Sequence, residues 1–250
     1  MKIVVASKSS MNDDLKSWDL GARNYLSSTS DENDKFKSEI DNPAFIKLLG
    51  NLNGKRVLDI GCGGGYFVKK LTDLGAKAVG LDGSANMIDE AKKNYPECTF
   101  VISDLTKQEL PFSEAEIDIV TGKMMLMNVN SVKQIAIKVF RVLRNQGLFA
   151  IDILHPFRPI VKSIENTGKY GNDLDYLKET TGTIEFNKER YVFYYRPISM
   201  YVNEILDSGF SLLKMKELGV DRKFVNENPD QKGKLNCPIS LHLLFRKSTK

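Results

Sequence analysis

Short apolar runs alternate with longer amphipathic stretches through most of this chain. Short runs rich in Val, Ile and Leu, which is the composition typical of buried strands, lie at residues 55–60, 76–81, 99–103, 116–121 and 148–154. Between these runs, apolar residues recur at helical spacing, as at residues 67–74. Because strands alternating with helices form parallel sheets covered on both faces, the pattern predicts a doubly wound α/β fold.

The alternation breaks after residue 154. Residues 155–195 contain three glycines, a polar stretch and two stretches of alternating character that predict a short hairpin. A helix over 198–207, a strand over 210–218 and a final strand over 239–245 follow, which brings the sheet to about seven strands. We therefore expect one domain over residues 41–250, with 155–195 as an insertion in it.

Residues 1–40 are mostly polar and predict an arm outside that domain, with loops at the polar stretch around residues 27–34. Trp18 and Tyr25 lie seven residues apart, so they share one face if this arm is helical. Asp41, Asn42 and Pro43 then signal the start of a helix that ends at Gly50.

Composition changes this picture little. The 36 basic and 32 acidic residues are interspersed, and the formal charge of +4 does not favour nucleic acid as a partner. The three cysteines form no C-x-x-C pair, which is typical of a reducing compartment. Since no signal-peptide core and no apolar run of about 20 residues occurs, we expect a cytoplasmic protein that does not interact with membranes.

The candidate chemistry begins at the end of the first strand. Asp59-x-Gly61-x-Gly63-x-Gly65 lets the backbone approach a ligand closely before a helix starts. A dinucleotide fingerprint would need a third glycine at position 66, where the chain has Tyr66. Asp59 would also repel a pyrophosphate and favour a cationic ligand end.

These motifs resemble those of the class I S-adenosylmethionine-dependent methyltransferases. The run Val-Leu-Asp59-Ile-Gly61-Cys-Gly63-Gly-Gly65 is similar to the family's first motif, Gly80-Leu-Asp82-Gly-Ser84 to its second strand end, and Ser103-Asp104-Leu105 to its third. The likeness covers roughly residues 40–154 and is nearest to the small-molecule subgroup that includes ubiquinone and menaquinone methyltransferases. It implies a Rossmann-like sheet with an antiparallel last strand, an N-terminal helical arm, and residues 155–195 as a substrate lid.

The resemblance also implies a cofactor, S-adenosylmethionine, which leaves as S-adenosylhomocysteine. Asp59 and the glycine turn would hold its methionine end, Asp82 its ribose and Asp104 its adenine. The cofactor-binding residues expected on this basis are Tyr25, Asp59, Gly61, Cys62, Gly63, Asp82, Gly83, Met87, Ser103, Asp104, Leu105 and Lys123. For Met87, packing under the sheet is an equally simple explanation.

Methyl transfer from a sulfonium needs orientation first and a base second, so few catalytic residues are required. His155, directly after the fifth strand, is the candidate base, and a purely structural histidine fits its position equally well. Tyr25 is a second catalytic candidate, whereas His242 lies in an apolar run and is interpreted as structural. The substrate-binding candidates, each with packing or capping as the alternative, are Trp18, Met124, Tyr195 and Arg196. No metal site is expected.

The leading hypothesis is methylation of an oxygen or nitrogen of a small molecule by a monomer or homodimer. The alternatives are C-methylation of a quinone-like ring, methylation of RNA or protein, and a non-catalytic module that binds the cofactor. The chain lacks the Asn/Asp-Pro-Pro-aromatic tetrad of amino-directed nucleic-acid methylases after its fourth strand, which weakens the RNA alternative.

Overall fold

The protein is described from a computed structural model that covers residues 2–5, 14–28, 34–159, 175–186 and 189–248. Its main sheet has seven strands in the order β4-β3-β2-β5-β6-β10-β9. These strands are β2 (Arg56–Ile60), β3 (Lys77–Asp82), β4 (Thr99–Ile102), β5 (Ile117–Lys123), β6 (Leu143–Leu154), β9 (Phe210–Leu218) and β10 (Ser240–Lys247). The sheet predicted from the sequence is therefore confirmed.

Strand direction in this sheet follows the predicted pattern. The pairs β2–β3, β3–β4, β2–β5 and β5–β6 are parallel, whereas β10 runs antiparallel to both β6 and β9. The strand order reverses between the neighbours β2 and β5: the strands that follow β2 in the sequence, β3 and β4, lie on one side of it, and β5 lies on the other. In open α/β sheets such a switch point opens a crevice at the carboxyl ends of the strands.

Helices cover the sheet at the places where apolar residues recur at helical spacing. They are α1 (Asp14–Ser28), α2 (Asn42–Leu49), α3 (Tyr66–Asp73), α4 (Ala85–Asn94), α5 (Val132–Val142), α6 (Ile198–Leu206) and α7 (Arg222–Glu227). Ser84 and Ser131 cap α4 and α5 by accepting the backbone N–H of Met87 and of Gln134. Short 3₁₀ turns lie at Leu126–Asn128 and Pro229–Lys234.

A second, three-stranded sheet has the order β1-β7-β8. The hairpin of β7 (Thr180–Phe186) and β8 (Glu189–Tyr195) confirms the hairpin predicted after the fifth strand, although residues 160–174 of the predicted insertion lie outside the described part. Its third strand, β1 (Lys2–Val5), pairs antiparallel with β7 and was not predicted. A four-residue strand carries too little pattern to be seen from the sequence.

The sequence did not predict the π-helix before α2, and it misplaced the start of one strand. The five residues before α2 form a π-helix, Lys37–Asp41, in a segment predicted as part of the polar arm; single-turn π-helices often occur at functional sites. Gly147 was expected to precede the fifth strand, but β6 starts directly after α5, with Gln146 at φ +61°.

Apolar side chains of β2, β5, β6 and β10 form the main core together with α5 and α6. Phe45, Leu49, Phe67 and Leu71 pack α2 and α3 against the opposite face of the sheet. In the described part of the chain, no helix has both the length and the apolar character needed to cross a bilayer.

Candidate active site

The turn between β2 and α3 has the backbone that its glycines allow. Gly61 lies at φ +66° and Gly65 at φ +80°, a left-handed conformation that other residues rarely adopt. A Cβ atom on Gly61 would lie 2.6 Å from Met125 Cβ, and one on Gly65 would lie 2.6 Å from the Phe100 ring. The turn is therefore fixed by both backbone angle and close packing.

Asp82 ends β3 directly beside this turn. Its Oδ2 accepts the backbone N–H of Gly63 and its Oδ1 that of Ser84, both at 2.9 Å. Burial raises the pKa of Asp82, against the hydrogen bonds from Ser84 and Gly63 that lower it. A carboxylate has about four acceptor sites, so Asp82 keeps capacity for two further donors.

Asp104 lies at the end of the next strand. Its Oδ1 accepts the backbone N–H of Thr106 at 2.9 Å and the Thr106 hydroxyl at 2.6 Å. Burial acts to raise the pKa of Asp104, but these bonds and Lys107 hold it below its usual value. The neighbouring Ser103 hydroxyl donates to Gln108 Oε1 at 3.1 Å and is buried, so Ser103 supports the loop from behind.

A cavity of about 1260 Å³ opens over these strand ends. Most of the site residues predicted from the sequence line it: Trp18, Tyr25, Gly61, Cys62, Gly63, Asp82, Gly83, Met87, Asp104, Leu105, Lys123 and Met124. Burial raises the pKa of the Cys62 thiol, which keeps it protonated and a poor nucleophile. Ligand pockets typically measure about 300–1000 Å³, so this cavity has room for two small molecules.

Asp59 lies beneath the cavity and does not line it. Only 2% of its surface is exposed, and its Oδ1 accepts the hydroxyl of Thr121 at 2.7 Å. Burial raises the pKa of Asp59 to about 7, against that hydrogen bond. The predicted direct contact with a cationic ligand is therefore corrected to a position in the floor, behind the glycine turn.

Lys123 lines the cavity, but its ammonium belongs to a buried ionic cluster. It contacts Oδ2 of both Asp41 and Asp152, while Asp41 Oδ1 accepts from the Ser240 hydroxyl at 2.6 Å and lies 2.9 Å from His242 Nε2. This cluster, Asp41, Lys123, Asp152, Ser240 and His242, ties the π-helix to β5, β6 and β10. The structural role predicted for His242 agrees with this position.

The charges of the cluster depend on one another. Burial acts to raise the pKa of Asp41, yet Lys123 and His242 hold it well below its usual value. Burial raises the pKa of Asp152 to about 6 despite Lys123, and the two carboxylates raise the pKa of Lys123 against its own burial. Asp41, Asp152 and His242 could supply three metal ligands within 4.8 Å of one another, but the Lys123 ammonium already occupies the position between the two carboxylates. Lys123 is therefore not available as a cation for a ligand carboxylate.

Three other candidates lie away from the cavity. His155 is buried, its Nδ1 accepts the backbone N–H of Phe157 at 3.1 Å, and its Nε2 lies 2.8 Å from Glu217 Oε1. Because both ring nitrogens are engaged with the protein, we do not retain His155 as the base. Tyr195 is buried in the main core, where it contacts the Tyr176 ring.

Arg196 supports the cavity wall from behind. It is 1% exposed, and its guanidinium donates to the carbonyl oxygens of Leu126 at 3.1 Å, Val129 at 2.8 Å and Asn130 at 3.0 Å. Its Nε also donates to Glu179 at 2.6 Å. Arg196 thus fixes the loop after β5 and does not itself face a ligand.

Sequence reasoning missed several lining residues. Leu15 and Leu26 of α1 lie against Gly83 and Gly64, and Asn128, Val129 and Asn130 belong to the loop that Arg196 holds. Lys35, Lys37, Ser38, Glu39 and Asn42 come from the π-helix region. For the buried cluster, charged residues within apolar strands, such as Asp152, were the one available signal.

The family model and several of the known proteins that this chain matches are named as methyltransferases. Residues 58–151 match the family model described as a methyltransferase domain. An uncharacterized methyltransferase of Synechocystis sp. is 39% identical over 104 residues, which cover 41% of this chain and 48% of that protein. A demethylmenaquinone methyltransferase of Renibacterium salmoninarum is 33% identical over 112 residues, or 44% of this chain and 46% of that protein. The matches thus span about half the length of these curated relatives.

Among solved structures, an S-adenosylmethionine-dependent methyltransferase from Mesorhizobium loti superposes with a TM-score of 0.65 at 22% identity, covering 82% of this chain and 96% of that one. This likeness concerns the fold. With the domain model that matches residues 58–151, the strand order and the glycine turn beside Asp82, it supports the predicted resemblance to the class I S-adenosylmethionine-dependent methyltransferases.

Proposed function

We propose that this protein transfers a methyl group from S-adenosylmethionine to an oxygen or nitrogen of a small-molecule acceptor and releases S-adenosylhomocysteine. One observation carries the proposal: a single cavity joins the glycine turn and Asp82 to a second wall made by α1, the π-helix region and the loop after β5. We call the first part, lined by residues 61–64, Asp82, Gly83, Met87 and residues 104–107, the cofactor half. Helix α1 roofs both parts, and the other lining residues form the acceptor half.

The cofactor half fits the ligand that the family implies. The spare acceptor capacity of Asp82 suits two adjacent ribose hydroxyls, and Asp104 with the Leu105 amide suits an adenine edge. The glycine turn leaves room for the methionine end above Asp59. The bound cofactor supplies a sulfonium-activated methyl group for in-line displacement.

Orientation is the main contribution we assign to the protein. Holding two reactants in line can lower a barrier by roughly 7–11 kcal/mol. The roof formed by Leu15, Trp18, Tyr25 and Leu26 of α1 and the wall fixed by Arg196 would hold the acceptor against the methyl group. Tyr25, and Glu39 on the π-helix, bring ionisable groups to the acceptor half, where either could take up the acceptor proton.

The lining of the acceptor half supports a small acceptor with both apolar and polar parts. Trp18, Met124, Met125 and Val129 provide apolar contact, whereas polar groups come from the amides of Asn42, Asn128 and Asn130 and from the charged residues Lys35, Lys37 and Glu39. Such a mixture is typical of small-molecule sites. Methylation of a ring carbon is the second candidate, favoured by the relatives named demethylmenaquinone methyltransferases.

The test is mass spectrometry after incubation of the purified protein with S-adenosylmethionine and a fractionated small-molecule extract. We expect S-adenosylhomocysteine to accumulate together with a product heavier than its precursor by one CH₂ group. Isotope-labelled methyl in the product, and its loss in the Asp82→Ala variant, would tie the reaction to this cavity. Cofactor binding without any methylated small molecule would contradict the proposal and favour a macromolecular substrate or a binding module.

A further inference from the structure

Helix α1, which roofs the cavity, is joined to α4 through one half-buried acidic residue, Asp19. Asp19 Oδ1 accepts from the Ser84 hydroxyl at 2.7 Å and from the backbone N–H of Asn86 at 3.0 Å. The Asn86 side-chain amide in turn donates to the Asp19 carbonyl oxygen at 2.9 Å. Because Asn86 lies in the first turn of α4, Asp19 occupies one of the free amides there and places its charge at the positive end of the helix.

The same contact continues to the proposed ribose site. Ser84, whose hydroxyl donates to Asp19, gives its backbone N–H to Asp82 Oδ1 at 2.9 Å. The hydrogen bonds therefore form an unbroken path from α1 through Ser84 to Asp82. Any displacement of α1 from α4 breaks this path beside the cofactor half.

The two ends of α1 reach opposite parts of the cofactor half. A Cβ atom on Gly83 would lie 2.8 Å from Leu15 Cδ1, and one on Gly64 would lie 2.6 Å from Leu26 Cδ2. These residues are eleven positions apart, which is about 16 Å along a helix. A ligand that lies between the glycine turn and Asp82 is thus covered along its length by α1.

The other flank of α1 is held by aromatic packing. The Trp18 and Tyr191 rings lie 4.3 Å apart, and the Tyr191 hydroxyl donates to the Gly21 carbonyl oxygen at 3.2 Å. On the α4 flank, a further polar contact is an ion pair between Arg23 and Glu90 at 3.4 Å, with 87% of the Arg23 side chain exposed. Such exposed pairs contribute little, so Asp19 dominates the polar attachment on that side.

We propose that Asp19 is a positioning residue that latches α1 over the cofactor half and thereby sets the rate at which the nucleoside product leaves. This inference rests on the proposed function, because it assumes that S-adenosylhomocysteine occupies that half. Asp19 does not contact the reacting atoms. It acts through Ser84 and Asn86 by keeping the roof closed.

The experiment uses the single tryptophan of the chain, Trp18, which lies in α1 itself. Stopped-flow tryptophan fluorescence at increasing S-adenosylhomocysteine concentration yields the dissociation rate constant as the intercept of the observed rates. Asp19→Ala removes the charge-assisted hydrogen bonds, and we expect the dissociation rate to rise at least tenfold. Asp19→Asn keeps an oxygen acceptor, so its dissociation rate should lie much closer to that of wild type than the rate of Asp19→Ala.

Arg23→Ala is the matched control, since it removes a charge from the same α1–α4 contact at an exposed position. Its dissociation rate should stay within twofold of wild type. Asn86→Ala keeps α1 unchanged and removes one donor to Asp19 from the α4 side, so it should accelerate dissociation by a smaller factor. Thermal unfolding of each variant verifies that the fold is intact.

Equal dissociation rates in the wild-type chain and Asp19→Ala would overturn the latch and leave the proposed function standing. An acceleration in Arg23→Ala as large as that in Asp19→Ala would overturn it as well, because the effect would then not be specific to Asp19. If the wild-type chain does not bind S-adenosylhomocysteine at all, the proposed function fails together with the latch. A tenfold acceleration confined to Asp19→Ala, with recovery in Asp19→Asn, supports it.

Discussion

The two halves of the cavity are built in different ways. The cofactor half comes from neighbouring strand ends of one contiguous stretch and uses backbone amides, glycine angles and two carboxylates. The acceptor half collects side chains from α1, the π-helix region and the loop after β5, which are far apart in the sequence. Nucleoside binding is thus encoded locally, whereas acceptor binding depends on how distant segments pack.

The supports of the two halves differ as well. The glycine turn is held by steric fit against Met125 and Phe100, whereas Asp41 and Lys123 attach the π-helix region through buried charges. The stability that steric fit contributes does not depend on pH, whereas the stability contributed by a buried ionic cluster changes when its groups titrate.

Removal of the central cation of the ionic cluster should have the largest effect. Lys123→Met leaves Asp41 and Asp152 buried without their ammonium partner, and breaking a buried pair from one side costs about 3–5 kcal/mol. The free energy of unfolding from urea titration measures this cost. Lys69→Ala, which removes an exposed ion pair with Asp73, is the control and should change it little. A loss no greater in Lys123→Met than in this control would show that the cluster is not a major support.

A methyl group at Gly61 tests the steric support of the cofactor half. Gly61→Ala adds strain at φ +66° and a clash with Met125 Cβ, which no side-chain rotation relieves. We expect a loss of roughly 2–4 kcal/mol in stability together with weaker cofactor binding. Gly54→Ala shares a positive φ of +72° but meets no atom within 4 Å, so it isolates the strain, about 1–2 kcal/mol. Equal losses at the two positions would argue against close packing at the turn.

Asp59, beneath the cofactor half, has a pKa raised by burial that makes stability depend on pH. Its pKa of about 7 in the folded protein, against about 3.9 in an unfolded chain, means that the folded state keeps a proton that the unfolded state has released. The group therefore lowers stability as the pH rises from about 4 to 7 and has a constant effect above that. Asp59→Asn should gain on the order of 4 kcal/mol relative to wild type across this window, since the two pKa values differ by about three units and each unit corresponds to about 1.36 kcal/mol. Denaturant titrations at pH 4, 6 and 8 that show a constant difference would refute this assignment.

His155 should matter least for cofactor binding. His155→Asn keeps an acceptor for the Phe157 N–H and lies outside the cavity, so the calorimetric affinity for S-adenosylhomocysteine should stay within twofold of wild type. A tenfold weaker affinity in His155→Asn would show that His155 contributes to cofactor binding.

The contrast also explains what the sequence could predict. Asp59, Asp82 and Asp104 follow strand patterns at fixed spacing, so their positions at the strand ends were predictable, whereas the burial of Asp59 beneath the cavity was not. The roles expected for His155, Tyr195 and Arg196 depended on which way a side chain leaves the end of a strand, and packing decides that. Asp19 gave no signal at all, because its partners Ser84 and Asn86 lie more than sixty residues away.

The most direct test of the central claim is isothermal titration of S-adenosylmethionine into the wild-type chain and into Asp82→Ala. The account predicts one site per chain in the wild type and at least a tenfold weaker affinity in the variant, because two ribose hydroxyls lose a buried acceptor. Unchanged affinity in a folded Asp82→Ala variant, or no binding by the wild-type chain, would contradict it.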